Sequence, residues 1–177
     1  DQQAMIALQG PKAIATLNNH VPNDVSALKM FNFTQESIDG IDLMIARTGY
    51  TGEDGVELFV PKSKAQQIWK IFVKDGAKPC GLGSRDLLRL EAGLLLHGND
   101  MDLTINPFEA GLDRFVYCDK DDYLAGPALR EIRSKGPIKK LLGLYINGNR
   151  VARSGYPLMH ENIQVGIIPS GTYSPVY

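Results

Sequence analysis

Apolar residues recur along this chain with a period of two in some stretches and of three to four in others, and the period predicts most of the elements. Met5-Ile6-Ala7-Leu8 is a compact apolar word that reads as a short buried strand from Met5 to Gln9. Gly10-Pro11 follows as a turn that places Pro at a first helical position, and Ile14, Leu17 and Asn18 continue at helical spacing until His20 and Pro22. Phe31, Phe33, Ser37 and Ile38 suggest another strand. Asp39-Gly40 has the chemistry of a type I′ hairpin turn, with Ile41-Asp42-Leu43-Met44-Ile45 as its return, so the sheet is antiparallel. Val56 to Val60 alternates as a further strand. Pro61-Lys62-Ser63 then leads into Ala65, Ile68, Trp69 and Phe72, the i, i+3, i+4, i+7 stripe of a helix packed on a sheet, which places Trp69 in the core.

Ser84 can cap a helix running to about Ala92, with Leu87, Leu90 and Leu94 on one face and Arg85 in its first turn. Another helix spans about Pro127 to Arg133, entered through Gly126, and Ser134-Lys135-Gly136-Pro137 looks like a boundary. Beyond it the pattern changes to short strands at Leu141 to Ile146, Val151 to Arg153, Tyr156 to Met159 and Gln164 to Ile168, as in a small barrel or sandwich. The expected fold class is therefore α+β: an antiparallel sheet with packed helices over residues 1–135, then an all-β region over 136–177.

Composition narrows the function classes. The 177 residues suffice for one large or two small domains without a disulfide or metal staple. Charged residues make up 22% and nearly cancel, to −1, which argues against a nucleic-acid or membrane-surface protein and leaves a neutral or mildly anionic small ligand open. Cys80 and Cys118 lie far apart without zinc-site spacing and read as free thiols. His20, His97 and His160 are equally scattered, so no metal site is expected. The longest apolar runs fall short of the roughly 18 residues a membrane span needs. The chain begins at Asp1 without Met and stops at Tyr177 just after a turn-rich stretch, so both ends read as cut and a fragment is expected.

Candidate chemistry concentrates between Ile41 and Leu96. Gly49, Gly52 and Gly55 recur every third residue, with Tyr50, Glu53, Asp54 and Glu57 around them. Such a loop is either an ordinary hairpin connection or a place where a ligand approaches backbone closely. Glu57 favours the second reading. It sits inside Val56-Glu57-Leu58-Phe59-Val60, where a carboxylate needs a partner such as an arginine or a pair of ligand N–H groups. Arg85 is the second anomaly, because a cation in the first turn of a helix opposes the dipole. It can serve as a receptor for a carboxylate or polarised carbonyl, or as a surface arginine paired with an acid. Arg89 and Glu91 read as a solvated or intramolecular charge pair. No nucleophile elbow, phosphate loop or dinucleotide fingerprint is present.

Several words in series, Ala7-Leu8-Gln9-Gly10-Pro11, Arg47 to Glu57, Gly81 to Asp86 with Leu88 to Gly93, Gly98-Asn99-Asp100 and Pro107 to Leu112, closely resemble the T-proteins of the glycine cleavage system. The resemblance covers essentially the whole chain. It implies a three-domain tetrahydrofolate-dependent aminomethyltransferase whose last domain is a β-barrel, so that residues 136–177 would be the start of that C-terminal β-barrel domain. It further implies a lipoylated H-protein as partner, release of ammonia, formation of 5,10-methylenetetrahydrofolate, and a cytoplasmic location in bacteria or a mitochondrial one in eukaryotes. Carried over by position, Tyr50 and Glu57 would contact the pterin and Arg85 an acceptor group of the folate. The family's catalytic aspartate lies upstream of Ala7, outside this chain, so the isolated piece is expected to be inactive. Arg114 stands where the family commonly has Trp, and His97 where it often has Tyr. Two other classes share parts of the pattern: folate-binding proteins without transferase activity, whose Lys-Gly-Cys-Tyr-x-Gly-Gln-Glu word this chain lacks, and the folate-binding half of sarcosine or dimethylglycine dehydrogenases.

Overall fold

The computed structural model describes residues 2–148 and 150–177. They form two compact units that divide between Leu94 and Leu95. The boundary expected near Gly136 falls inside the second unit, where a left-handed Gly136 (φ 78°) ends a helix.

The first unit is a four-stranded antiparallel sheet of β1 (Gln3–Gln9), β2 (Phe33–Ile38), β3 (Ile41–Ala46) and β4 (Gly55–Pro61), in the order β1-β4-β3-β2. The register sorts the side chains. Ile6 faces Leu58 and Ile45 faces the same Leu58, so the inner face of the central strand is lined from both sides. Val56, Leu58, Val60 and Ile45 are fully buried there. Two helices close that face, α1 (Ala13–Asn18) through Ala13 and Leu17 and α2 (Ala65–Lys74) through Ile68 and Phe72. At roughly 1.5–3 kcal/mol per fully buried aliphatic or aromatic side chain, this face is the main stabilising feature of the unit. Asp39 and Gly40 both take positive φ, 49° and 73°, as the type I′ turn between β2 and β3 requires.

The other face of the sheet is open. Alternation puts Met5, Phe59 and Met44 side by side across three strands, and Ala7, Glu57 and Ala46 beside them. Met5 is half exposed (49%), as is Phe33 on the edge strand (64%).

Three local expectations need correction. Pro11 lies before the helix rather than at its first position: Lys12 is the cap and Ala13 the first helical residue. Trp69 is not in the core but 42% exposed. The buried line of α2 runs through Ile68 and Phe72, one helical turn apart, and Trp69 sits about 100° round from Ile68, at the edge of that line with the equally exposed Val73. The third helix, α3 (Leu82–Glu91), starts two residues before Ser84 and is capped by Gly81, with no side-chain cap.

α3 also buries an unexpected residue. Arg89, read with Glu91 as a solvated or intramolecular charge pair, is 1% exposed and the largest fully buried side chain among the described residues. Its Nε donates to Asp86 Oδ1 at 2.8 Å and its Nη1 to the Leu94 carbonyl at 3.3 Å, so the guanidinium enters the interior already paired.

The second unit is built differently. Asn106 Oδ1 accepts from the Phe108 and Glu109 N–H groups, both at 3.0 Å, while Glu109 Oε2 accepts from the Asn106 N–H at 3.1 Å. This reciprocal closure is that of a capping box, and it accounts for the Pro107-Phe108-Glu109 word as a folded turn. The Glu109 carbonyl in turn accepts from the Leu141 N–H at 2.8 Å. Helix α4 (Gly126–Lys135) lies close to its expected span, and its Arg130 donates to the carbonyls of Cys118 (3.2 Å) and Lys120 (3.3 Å). The later strands are fewer than expected. β5 (Pro157–His160) and β6 (Ile163–Ile167) pair as a hairpin through Glu161 and Asn162, both at positive φ. The segments Leu141–Ile146 and Val151–Arg153 join no ladder among the described residues, because their backbone groups have no neighbouring strand to pair with.

Candidate functional site

The loop between β3 and β4 is held from three sides. Just past the end of β3, Arg47 forms a two-toothed pair with Asp54: Nε to Oδ1 at 2.8 Å and Nη2 to Oδ2 at 2.7 Å. The remaining Nη1 donates to the carbonyls of Val25 (3.4 Å) and Leu28 (3.2 Å). The guanidinium holds the Asp54 carboxyl below its ordinary value of 3.8, despite the opposing effect of desolvation. From β1, Gln9 Nε2 donates to the carbonyls of Thr48 (3.1 Å) and Val56 (3.0 Å), and its Oε1 accepts from the Thr51 hydroxyl at 3.1 Å. From the C-terminal cap of α3, Ala92 lies against Gly52, where an added Cβ would sit 2.5 Å from the Ala92 Cβ.

These contacts change the meaning of the three glycines. Only Gly52 (φ 76°) needs a left-handed backbone. Gly49 and Gly55 are small because Gln9 occupies the space: a Cβ on Gly49 would overlap its amide, and one on Gly55 would lie 2.6 Å from the Leu8 carbonyl and 2.7 Å from Gln9 Nε2. The chain itself makes the close approach that the sequence pattern left open to a ligand.

Of the three residues singled out in the sequence, two meet directly. The Arg85 guanidinium lies over the Tyr50 ring, 4.7 Å from its centroid. The arrangement offsets the dipole penalty of a cation near a helix start and leaves the edges of the guanidinium fork able to donate. Glu57 is engaged separately. It projects from the open face of β4, half-buried, and one carboxylate oxygen accepts from the Thr48 hydroxyl at 2.5 Å. Its cross-strand neighbours on both sides are alanines, Ala7 and Ala46. An ionised carboxylate has about four acceptor sites, so one hydroxyl leaves capacity for donors from a ligand.

Residues 1–120 match the model of the GCVT N-terminal domain. The chain belongs to this family. Among similar curated proteins is the aminomethyltransferase of Synechococcus sp. (strain CC9311), 44% identical over 97% of this chain and 47% of its own length. The aminomethyltransferase of Rubrobacter xylanophilus is 43% identical over 99% of this chain and 47% of its length. The chain thus spans about half the length of the curated relatives it matches. The crystal structure of glycine cleavage system aminomethyltransferase T from Bartonella henselae shares the fold, with a TM-score of 0.72, 23% identity, and coverage of 98% of this chain and 73% of that one.

In this GCVT chain, the pattern of chemistry-bearing residues missed two side chains that brace the loop. Gln9 and Thr48 are uncharged and stand at the ends of strands, so only their occurrence in the family words marked them. The histidines stay apart: His20 bonds Asp75 at 3.1 Å, His97 pairs through its backbone with Met101, and His160 ends β5. Among the described residues no group of three His, Cys, Asp or Glu could hold a metal ion, and no helix is long and apolar enough to cross a membrane. Cys80 and Cys118 are free thiols, the first exposed and the second buried. Arg114 lies over the neighbouring Phe115 ring at 4.7 Å, so this pair presents a cation on an aromatic face.

Proposed function

We propose that this chain supplies the folate-recognition part of a glycine-cleavage aminomethyltransferase. The observation that carries the reading is Glu57: a carboxylate held by Thr48 on the open sheet face, between two alanines on the neighbouring strands. That environment suits a flat heterocycle whose adjacent N–H groups donate to the carboxylate while its ring covers apolar surface. Tyr50 and Arg85 add an aromatic face and a cation, to which an acceptor group of a folate can bind. Tetrahydrofolate is here a substrate, the acceptor of a one-carbon unit. The curated relatives matched by this chain are named aminomethyltransferases, which supports transfer of an aminomethyl group to it from the lipoyl arm of an H-protein, with release of ammonia and formation of 5,10-methylenetetrahydrofolate.

On this reading the chain's own residues bind and orient. Glu57, Tyr50 and Arg85 are ligand-binding groups, and the aspartate that directs transfer belongs to the part of the relatives' length that this chain does not span. Residues 136–177 would be the start of a C-terminal β-barrel domain.

Isothermal titration with tetrahydrofolate tests the assignment on the longest form of the protein that carries this chain. Glu57→Gln and Arg85→Ala are each expected to weaken binding by about 1.5–3 kcal/mol, the scale of a hydrogen bond to a charged group. Unchanged affinity in both variants would overturn the site.

A further inference from the structure

We infer that Gln9 is a positioning residue for the ligand site, acting on Glu57 and Tyr50 without touching the ligand; the inference rests on the folate reading above. One carboxamide reaches three points of the loop that carries both residues. Its nitrogen donates to the carbonyls of Thr48 and Val56, at 3.1 and 3.0 Å, and its oxygen accepts from Thr51 at 3.1 Å. Thr48 supplies the hydroxyl that grips Glu57, and Val56 is the residue immediately before Glu57 on β4. The two carbonyls held by Gln9 Nε2 therefore belong to the two backbone segments whose side chains form the Thr48–Glu57 pair. Thr51, held by the oxygen, is the residue after Tyr50. Gln9 thereby ties together the two ends of the loop and its middle.

Three further facts show that this arrangement is built rather than incidental. Gln9 faces Gly55 in the β1–β4 register, so its side chain lies on the same open face as Glu57, two residues along from Ala7. Gly49 and Gly55 both lack a side chain where Gln9 would collide with one. The next residue, Gly10, donates to the Asp54 carbonyl at 2.8 Å, so backbone and side chain clamp the loop at adjacent positions. A carboxamide is the one side chain of this length that offers both two donors and an acceptor without charge. Glutamate would set a carboxylate against two carbonyl oxygens, and methionine would fill the space with no hydrogen bond.

The test uses Gln9→Met and Gln9→Glu with two readouts, amide hydrogen exchange across residues 48–56 and tetrahydrofolate affinity by titration. Gln9→Met is expected to exchange faster at Gly49 to Asp54 while the amides of β3 keep their protection. It should also bind about tenfold more weakly, for the loss of ordering hydrogen bonds. Gln9→Glu should bind as weakly at about pH 8 and regain part of the affinity toward about pH 5.5, because the introduced carboxyl, raised by the facing carbonyls, becomes a donor when protonated. A purely space-filling role would leave both variants equally insensitive to pH. Wild-type exchange in the loop of Gln9→Met, or wild-type affinity in both variants, would overturn the inference. If the unmodified protein takes up no tetrahydrofolate, the folate reading fails, and the exchange comparison alone decides whether Gln9 fixes the loop.

Discussion

The two units hold themselves together by different means. In the first, Leu8, Ile38, Ile45, Val56, Leu58, Val60, Ile68 and Phe72 share one dry layer between a sheet and two helices. In the second, the buried residues include Asp100 and Glu109, and the order around them comes from side chains bonding backbone: Asp100 Oδ2 to the Leu96 N–H at 2.9 Å, the Asn106–Glu109 closure, and Arg130 on two carbonyls. Its apolar strand residues, Ile163, Val165 and Ile167, stay exposed. Apolar alternation stabilises only where a second layer is present to receive it, so equal patterning does not mean equal stability.

The sharpest test of this contrast is a pair of truncations. Leu58→Ala should cost about 2–5 kcal/mol in urea unfolding followed by far-UV circular dichroism, since it empties the centre of the dry layer. Val165→Ala should stay within about 0.5 kcal/mol. Comparable losses would show that the β5–β6 hairpin is covered in solution and would break the comparison. A smaller effect sharpens it from the other side: Glu109→Ala should cost about 1 kcal/mol, because the second unit loses a buried reciprocal cap rather than apolar area. The smallest effect is one of pH in the first unit. Asp54 is depressed below 3.8 chiefly by its hydrogen bond to Arg47. Its contribution is present above the unfolded value and is lost as pH falls through the lower folded one, so Asp54→Asn should lower stability slightly at neutral pH, flatten the acid limb of unfolding below about pH 4, and converge on the wild type at the acid end. An acid limb identical in the variant would remove Arg47–Asp54 from the account.

Much of the first unit was legible in the sequence. The Asp39-Gly40 turn, the four strands and the Ile68–Phe72 line follow from local chemistry and period, because each element meets a partner of matching period. The second hairpin was not legible as a turn. Glu161-Asn162 adopts the same left-handed pair of conformations as Asp39-Gly40, but glutamate carries no bias toward it and strand pairing imposes it. Trp69 is exposed and Arg89 buried for a related reason. Period locates an apolar arc to within one residue of its edge, and it is silent on a charged side chain that brings its own partners inside.

The candidate site divides in the same way. Glu57 and Arg85 could be named from the sequence because a charge among apolar neighbours or against a helix dipole is an anomaly wherever it occurs, and Tyr50 entered through the family resemblance. Gln9 could not be named from its chemistry, since an uncharged amide at a strand end violates no local rule. The sequence by itself determined the sheet, its buried face and the membership in the GCVT family, all of which rest on residue order and period. Only the tertiary structure decided that three glycines make room for the chain's own Gln9 and Ala92, and that Arg85 lies on Tyr50. Those contacts join residues dozens of positions apart, and their geometry exists only once the strands have paired.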